Sequence, residues 1–337
     1  MHFLVIGIGS IGTRHIKNLR SLGVEVSVFD KNVDIFQPHI SLPDSTPQLS
    51  RLEELVREYD VHYADPNNRH VHYDAWIICT PPSSHLEYIV KGMQQFSHIF
   101  VEKPISHEME YLDWVVQTSR NKDIIVQVGY QLRFHPGLVL MKKMLDDGVI
   151  GKLLSIRAEF GQYLPLWHPG QDYKTLYTGK KEEGGGIILD ASHEIDYVRW
   201  LVASPVKKVS CYTGHLSELE IDVEDTADIL LEFEDKIIGN IHVDMVQKNY
   251  TRKCKLIGET GELEWHYPEN VICQYGIDKC IYHSIGISDP YLDEMAHFIK
   301  CVEEKTAPLV DACSGKKTLE IVSAAKQSAK ESKVICL

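Results

Sequence analysis

HFLVIGIGSIGTRHIKNLRSLGVEVSVFD, residues 2–30, decides the fold of the first half of this chain. HFLVI is an apolar run of strand length, GIGSIG a glycine turn, TRHIKNLRSLG a helical stretch and VEVSVFD a second strand, together a βαβ unit. Gly7 permits the tight turn, Gly9 lets the backbone approach a pyrophosphate, and Gly12 allows the helix to pack closely. The N–H groups of Ser10 and Ile11, at the helix start, then point at phosphates. G-x-G-x-x-G alone is a weak signal, but between a strand and a helix it reads as a dinucleotide site rather than a mere turn. Asp30 ends the second strand, where a carboxylate accepts hydrogen bonds from the adenosine ribose and repels a 2′-phosphate. NAD is therefore expected over NADP, although the neighbouring Lys31 could tolerate the phosphate.

Alternation continues outward from this unit. LEELVREY, HLEYIVKGMQQF and EMEYLDWVVQTSR read as helices, and DAWIICT, HIFVE and DIIVQVGY as buried strands, which predicts a doubly wound parallel α/β sheet over residues 1–128. The Pro/Ser-rich SLPDSTPQLS, 41–50, reads as a surface loop. From residue 129 the pattern changes to a helix, PGLVLMKKMLDDG, and then mostly strands, with tight turns at 234–236 and 259–262 that imply hairpins. The second domain, 129–337, is thus expected to be α+β with a large, mostly antiparallel open sheet. Two closing helices follow, which could pack back on the first domain. If helices cover one sheet face only, Ile229, Leu231, Ile241 and Val243 are divided between core and surface, and an exposed apolar face would make a homodimer or homotetramer.

The chain of 337 residues has a formal net charge of −13, which argues against a nucleic-acid partner. No apolar run reaches the length of a membrane span, and MHFLVIGIGS lacks the basic start of a secretory signal, so a cytoplasmic protein is expected. The eight cysteines contain no C-x-x-C pair, which points to reduced thiols and to no metal site.

In an open parallel sheet, ligands lie beyond the carboxyl ends of the strands. Thr80-Pro81-Pro82 and Glu102-Lys103-Pro104 end two of them and are expected to line the nicotinamide half of the site. Oxidising a secondary alcohol needs hydride removal, a proton acceptor and stabilisation of the developing alkoxide. A lysine ammonium supplies the last and a histidine the second. Lys103 is read as that lysine, its alternative being an ion pair with Glu102.

The motifs GIGSIGTRH (7–15), CTPPSSH (79–85), VEKPIS (101–106), GYQLRFHP (129–136) and GGGIILDASHEIDYVRWL (184–201) resemble the glucose-fructose oxidoreductase and inositol dehydrogenase family, Gfo/Idh/MocA. The resemblance spans essentially the whole chain. It implies a Rossmann domain and an NAD(P)-dependent oxidoreductase acting on a sugar, cyclitol or sugar nucleotide. It places Lys103 of E-K-P beside the reacting carbon, and an Asp and a His of the second domain opposite. His193 and Asp196 match the family's H-x-x-D; Asp190 departs from it, because only Ala191 and Ser192 separate it from His193. On one helix, Asp190, His193 and Asp196 would share a face.

The candidate catalytic set is therefore Lys103, His193 and Asp190. A helix histidine is otherwise a satisfied core group, and Asp190 otherwise a cap after the glycine run. Thr80, Pro81, His85 and Glu102 join Gly7, Gly9, Ser10, Ile11, Gly12 and Asp30 as cofactor-binding positions. Arg133 either binds substrate or braces the domain junction. In the long loop 163–181, Trp167 and Tyr173 either meet the sugar or pack the surface; Asp196 completes the substrate set. Two other functions stay open: an NAD-dependent glycosidase or epimerase that oxidises its sugar transiently, and a non-catalytic NAD-binding sensor.

Overall fold

The computed structural model describes residues 1–32, 47–68, 70–276 and 280–337. Residues 41–46 of the expected surface loop lie outside them, and Pro47 already opens a helix. The described chain divides into two units, Met1–Ser106 with Glu110–Gly129 and Tyr291–Ser314, and His107–Met109 with Tyr130–Pro290 and Gly315–Leu337.

The first unit follows the order β1 (His2–Ile6), α1 (Ser10–Ser21), β2 (Glu25–Phe29), α2 (Pro47–Tyr59), β3 (His62–Tyr63), β4 (Ala75–Ile78), α3 (Pro82–Gln94), β5 (His98–Glu102), α4 (Leu112–Asn121) and β6 (Val126–Gly129). All its strand pairs are parallel, in the order β3-β2-β1-β4-β5-β6. The strands are apolar without alternation because both faces are covered: Phe3–Val5, Ala75–Ile78 and Ile99–Val101 are fully buried. The order reverses between β1 and β4, and the crevice beyond their carboxyl ends is where such a sheet binds ligands. The helix Pro290–Glu304 supplies Met295, Phe298 and Val302 to the core of this unit.

In the second unit, α5 (Pro136–Asp146) precedes β7 (Leu153–Gly161), and two short helices, α6 (Ile187–Asp190) and α7 (Ser192–Val202), interrupt the sheet. Seven strands follow: β8 (Val206–Gly214), β9 (Thr226–Phe233), β10 (Ile238–Asp244), β11 (Thr251–Gly258), β12 (Glu262–His266), β13 (Val271–Tyr275) and β14 (Cys280–Ser284). The chain closes with α8, the helix Pro290–Glu304 of the first unit, then α9 (Ala312–Glu331) and β15 (Ile335–Cys336). The nine-stranded order is β14-β13-β12-β11-β7-β10-β9-β8-β15. Among the described residues of this sheet only β7 and β10 pair in parallel, a pairing that hairpin turns cannot announce.

α6 and α7 lie against β7, β9 and β10. Ile229, Leu231, Ile241 and Val243 are all buried at 0–1% exposure, so none of the four divides to the outside. For these four the expected division between core and surface is thereby corrected. The alternate residues form charged pairs instead: Lys208 with Glu232 at 2.9 Å, Lys253 with Glu159 at 2.8 Å and Lys255 with Glu262 at 2.6 Å, with Leu230, Ile238 and Tyr212 exposed among them.

His242 belongs to this outer ladder, with Nδ1 2.9 Å from Asp228 and Nε2 3.3 Å from Asp244. The hydrogen bond to Asp244 raises its pKa from 6.5 to about 9, against partial burial and with help from Asp228. The folded state therefore holds this proton more tightly than the unfolded chain. Its stabilisation is complete below pH 6.5 and is lost as the pH climbs through about 9. His242→Gln is expected to flatten the fall in melting temperature across that window. Identical pH slopes in both proteins would refute the assignment.

Candidate active site

The turn after β1 is built for a close approach. Gly7 has φ +90°, and a Cβ there would lie 2.8 Å from the Cys79 carbonyl oxygen. A Cβ on Gly12 would lie 1.9 Å from the Gly7 oxygen, so α1 meets the turn only because the side chain is missing. Among the described residues, an added Cβ on Gly9 meets nothing within 4 Å, so these leave the loop's outer side open. Ser10 and Ile11 open α1 directly behind it. The pattern fits the three glycine roles of a pyrophosphate loop. Asp30 is nearly buried; its Oδ2 accepts the Ile8 N–H at 3.0 Å and its Oδ1 the Asn32 N–H at 2.9 Å. A carboxylate with these two bonds retains lone pairs for a ribose hydroxyl.

β4 and β5 stay in register up to Ile78 and Val101. Thr80 and Pro81 follow the first, and Pro82 starts α3, whose first turn carries His85. His85 is fully buried, with Nε2 2.7 Å from the Thr80 oxygen and Nδ1 2.8 Å from the Pro104 oxygen. The structure thus places it beneath the strand-end loops. Glu102 is also nearly buried, and its Oε1 lies 2.7 Å from Nε2 of His15 on α1. Its Oε2 accepts the Lys103 N–H at 3.3 Å, and the Lys103–Pro104 peptide bond is cis. His15 was within sight of a sequence reading. It shares the buried stripe Gly12, His15, Ile16 and Leu19, and a polar residue on such a stripe needs a partner.

In the second unit the glycine run leads into α6. Gly186 has φ +106° and sits under Glu224, whose Oε1 accepts the Ile188 N–H at 3.3 Å and lies 3.6 Å from Nζ of Lys326. An acid at this helix start is favourable. α6 ends at Asp190, which accepts the Tyr177 hydroxyl at 2.7 Å. Ala191 then breaks the helix, and α7 begins at Ser192. Asp190 and His193 therefore stand on two successive helices rather than on the one helix expected.

His193 is 6% exposed, its ring meeting the Tyr130 ring edge-on at 5.5 Å. The Tyr130 hydroxyl donates to Ser192 at 3.2 Å, and burial raises its pKa. One turn on, Asp196 does not join His193 in an open face. It is 1% exposed and receives Arg133 in a two-pronged pair, Nε to Oδ2 at 2.7 Å and Nη2 to Oδ1 at 2.8 Å. The Thr318 hydroxyl donates to the same carboxylate at 3.2 Å. Arg133, read as a substrate ligand or a brace, and Asp196, expected at the substrate, are thus engaged with each other inside one unit. In the loop 162–183, Trp167 donates to the Gln162 oxygen at 2.8 Å, and the Tyr173 hydroxyl accepts the Glu220 N–H at 3.2 Å. Tyr177 and Glu224 escaped the sequence reading; Glu224 acts on residues more than thirty positions earlier, which no local spacing reveals.

Two family descriptions match the chain: "Oxidoreductase family, NAD-binding Rossmann fold" over residues 1–130, and "GFO/IDH/MocA C-terminal domain" over 138–264. Myo-inositol 2-dehydrogenase of Thermotoga maritima is 26% identical over 359 residues, covering 100% of this chain and 98% of the relative. The NAD(+)-type scyllo-inositol 2-dehydrogenase of Bacillus subtilis is 26% identical over 342 residues, covering 96% and 92%. The fold is also that of the WlbA dehydrogenase from Bordetella pertussis, solved with NADH and UDP-GlcNAcA, at a TM-score of 0.80 and 22% identity over 99% and 98% of the two chains.

Proposed function

Because this chain belongs to the GFO/IDH/MocA oxidoreductase family, we propose that it is an NAD-dependent dehydrogenase or reductase of a secondary alcohol or carbonyl in a sugar, cyclitol or sugar nucleotide. The observation that carries this reading is the first unit's carboxyl edge. There a loop open above Gly9, the Asp30 carboxylate and the strand end bearing Lys103 belong to one parallel sheet. Bound NAD supplies the hydride acceptor or donor. Gly7, Gly9 and Gly12, with the N–H groups of Ser10 and Ile11, hold its pyrophosphate, and Asp30 its ribose. Thr80 and Pro81 line the nicotinamide side.

Lys103 offers an ammonium to the oxygen that gains negative charge. His193 takes the hydroxyl proton, and Asp190, fixed by Tyr177, accepts a hydrogen bond from the substrate. Trp167 and Tyr173 belong to the loop that would meet the sugar. A screen of cyclitols, sugars and sugar nucleotides, followed by NADH absorbance, tests the reading. No net NADH with any of the three classes would leave the glycosidase or epimerase that oxidises its sugar transiently and the NAD-binding sensor.

Asp30 carries the cofactor preference. NAD is expected to bind more tightly than NADP, and Asp30→Ser to narrow the gap by removing repulsion of the 2′-phosphate. Titration with both cofactors checks this; equal affinities in the unaltered protein would mean that the exposed Lys31 compensates. The protein further acts in the cytoplasm as a homodimer or homotetramer joined through the nine-stranded sheet. Support comes from Leu230, Ile238 and Tyr212, which stand exposed on the outer face. Light scattering that finds a monomer at all concentrations would overturn the assembly.

A further inference from the structure

The ladder between β4 and β5 ends at Ile78 and Val101. Beyond it lie Pro81, Pro82 and Pro104, none of which has an N–H to continue a cross-link. The carbonyls of Thr80 and Pro104 need a donor from elsewhere. The ring of His85 meets both, at 2.7 and 2.8 Å, with no exposure to solvent.

We propose that His85 is a positioning residue that clasps the end of β4 to the turn after β5, and so sets the place of Lys103. A carbonyl only accepts, so each contact is a hydrogen bond when the facing nitrogen carries a proton. The singly protonated ring anchors one loop, and the doubly protonated ring ties the two together. Burial lowers the pKa of His85; the two carbonyls and Glu102 act against burial, and Lys103 acts with it. The imidazole ring is suited to the task because its two polar atoms are held rigidly apart. A glutamine can donate but cannot keep that spacing.

Lys103 is consequently fastened on both sides when Nδ1 of His85 carries the proton. Glu102 before it is bound by His15, and Pro104 after it by His85. The inference rests on the reading of Lys103 as the group that meets the reacting oxygen. A displacement of about 1 Å in such a group lowers turnover on the order of 100-fold.

The test uses His85→Leu and His85→Gln in the full chain, each alone and with Lys103→Met. His85→Leu is expected to lower turnover at least about 10-fold while NAD affinity stays within a few-fold, and His85→Gln to recover part of the loss. In the Lys103→Met background the His85 change should make no further difference, because it acts through the lysine. A second readout needs no substrate. The rate at which an amine reagent modifies Lys103, followed by mass spectrometry, should change in both His85 variants, while Lys142 and Lys143 react as before. An unchanged Lys103 rate, or losses that simply add, would overturn the clasp. If Lys103→Met turned over normally while the labelling rate still shifted, the clasp would stand and the catalytic reading of Lys103 would fall. Should His85→Leu fail to fold, the same readouts on His85→Gln decide.

Discussion

Lys103→Met is expected to lose on the order of 100-fold or more in turnover, by analogy with the removal of one oxyanion donor. Methionine keeps much of the apolar stem and removes the charge. The charge matters most while the alkoxide forms, so the loss should appear in turnover rather than in cofactor binding. NAD affinity by titration should stay within a few-fold, because the pyrophosphate turn and Asp30 are separate from this strand end. His193→Ala should also impair turnover, through the proton path. Normal turnover by Lys103→Met with a competent substrate would make the lysine structural.

Arg133→Met should be the most destabilising single change among those considered. It takes from the Asp196 carboxylate, 1% exposed, its two-pronged partner and leaves the Thr318 hydroxyl at 3.2 Å and the nearby charge of Arg199. Removing one partner of a buried pair typically costs about 3–5 kcal/mol. Replacing both by apolar residues, as in Arg133→Met with Asp196→Leu, should recover part of the loss, since the pair's desolvation penalty disappears with its charges while Arg199 loses the Asp196 charge beside it. Urea midpoints of the two variants against the unaltered chain measure this. A midpoint for Arg133→Met equal to that of the unaltered chain would show the pair to be dispensable.

That pair also shows where sequence reading stopped. The glycine turn, the polar strand ends and the hairpins are local, and each was legible because backbone chemistry within a few residues dictates it. Arg133 and Asp196 find each other across 63 positions, and nothing in LRFHP or HEID says that each is the other's partner. The split at Ala191 was missed for the opposite reason. The stretch ILDASHEIDYVRWL, 188–201, reads as one helix and hides a single residue, Ala191 at φ −87° and ψ 23°, that ends one helix and starts the next. His85 was noticed through its motif, but its partners are backbone carbonyls, which have no letter in a sequence. Strand alternation says that the two sheet faces differ without saying which one the helices cover, so the shared burial of Ile229, Leu231, Ile241 and Val243 emerges only in the fold.

The helix Pro290–Glu304 carries a consequence for the order of folding. Phe298 sets its ring edge against Phe3 at 6.0 Å and Phe100 at 5.6 Å, so the core of the first unit joins a residue at the start of the chain to one near its end. Val310 adds a further tie, its carbonyl accepting the Val128 N–H at 2.9 Å. During synthesis the parallel sheet must therefore wait, partly uncovered, while residues 130–290 of the second unit emerge. Contacts of such separation are slow to form and leave apolar surface exposed meanwhile. The nascent first unit is the segment most in need of chaperone cover, even though its sequence comes first.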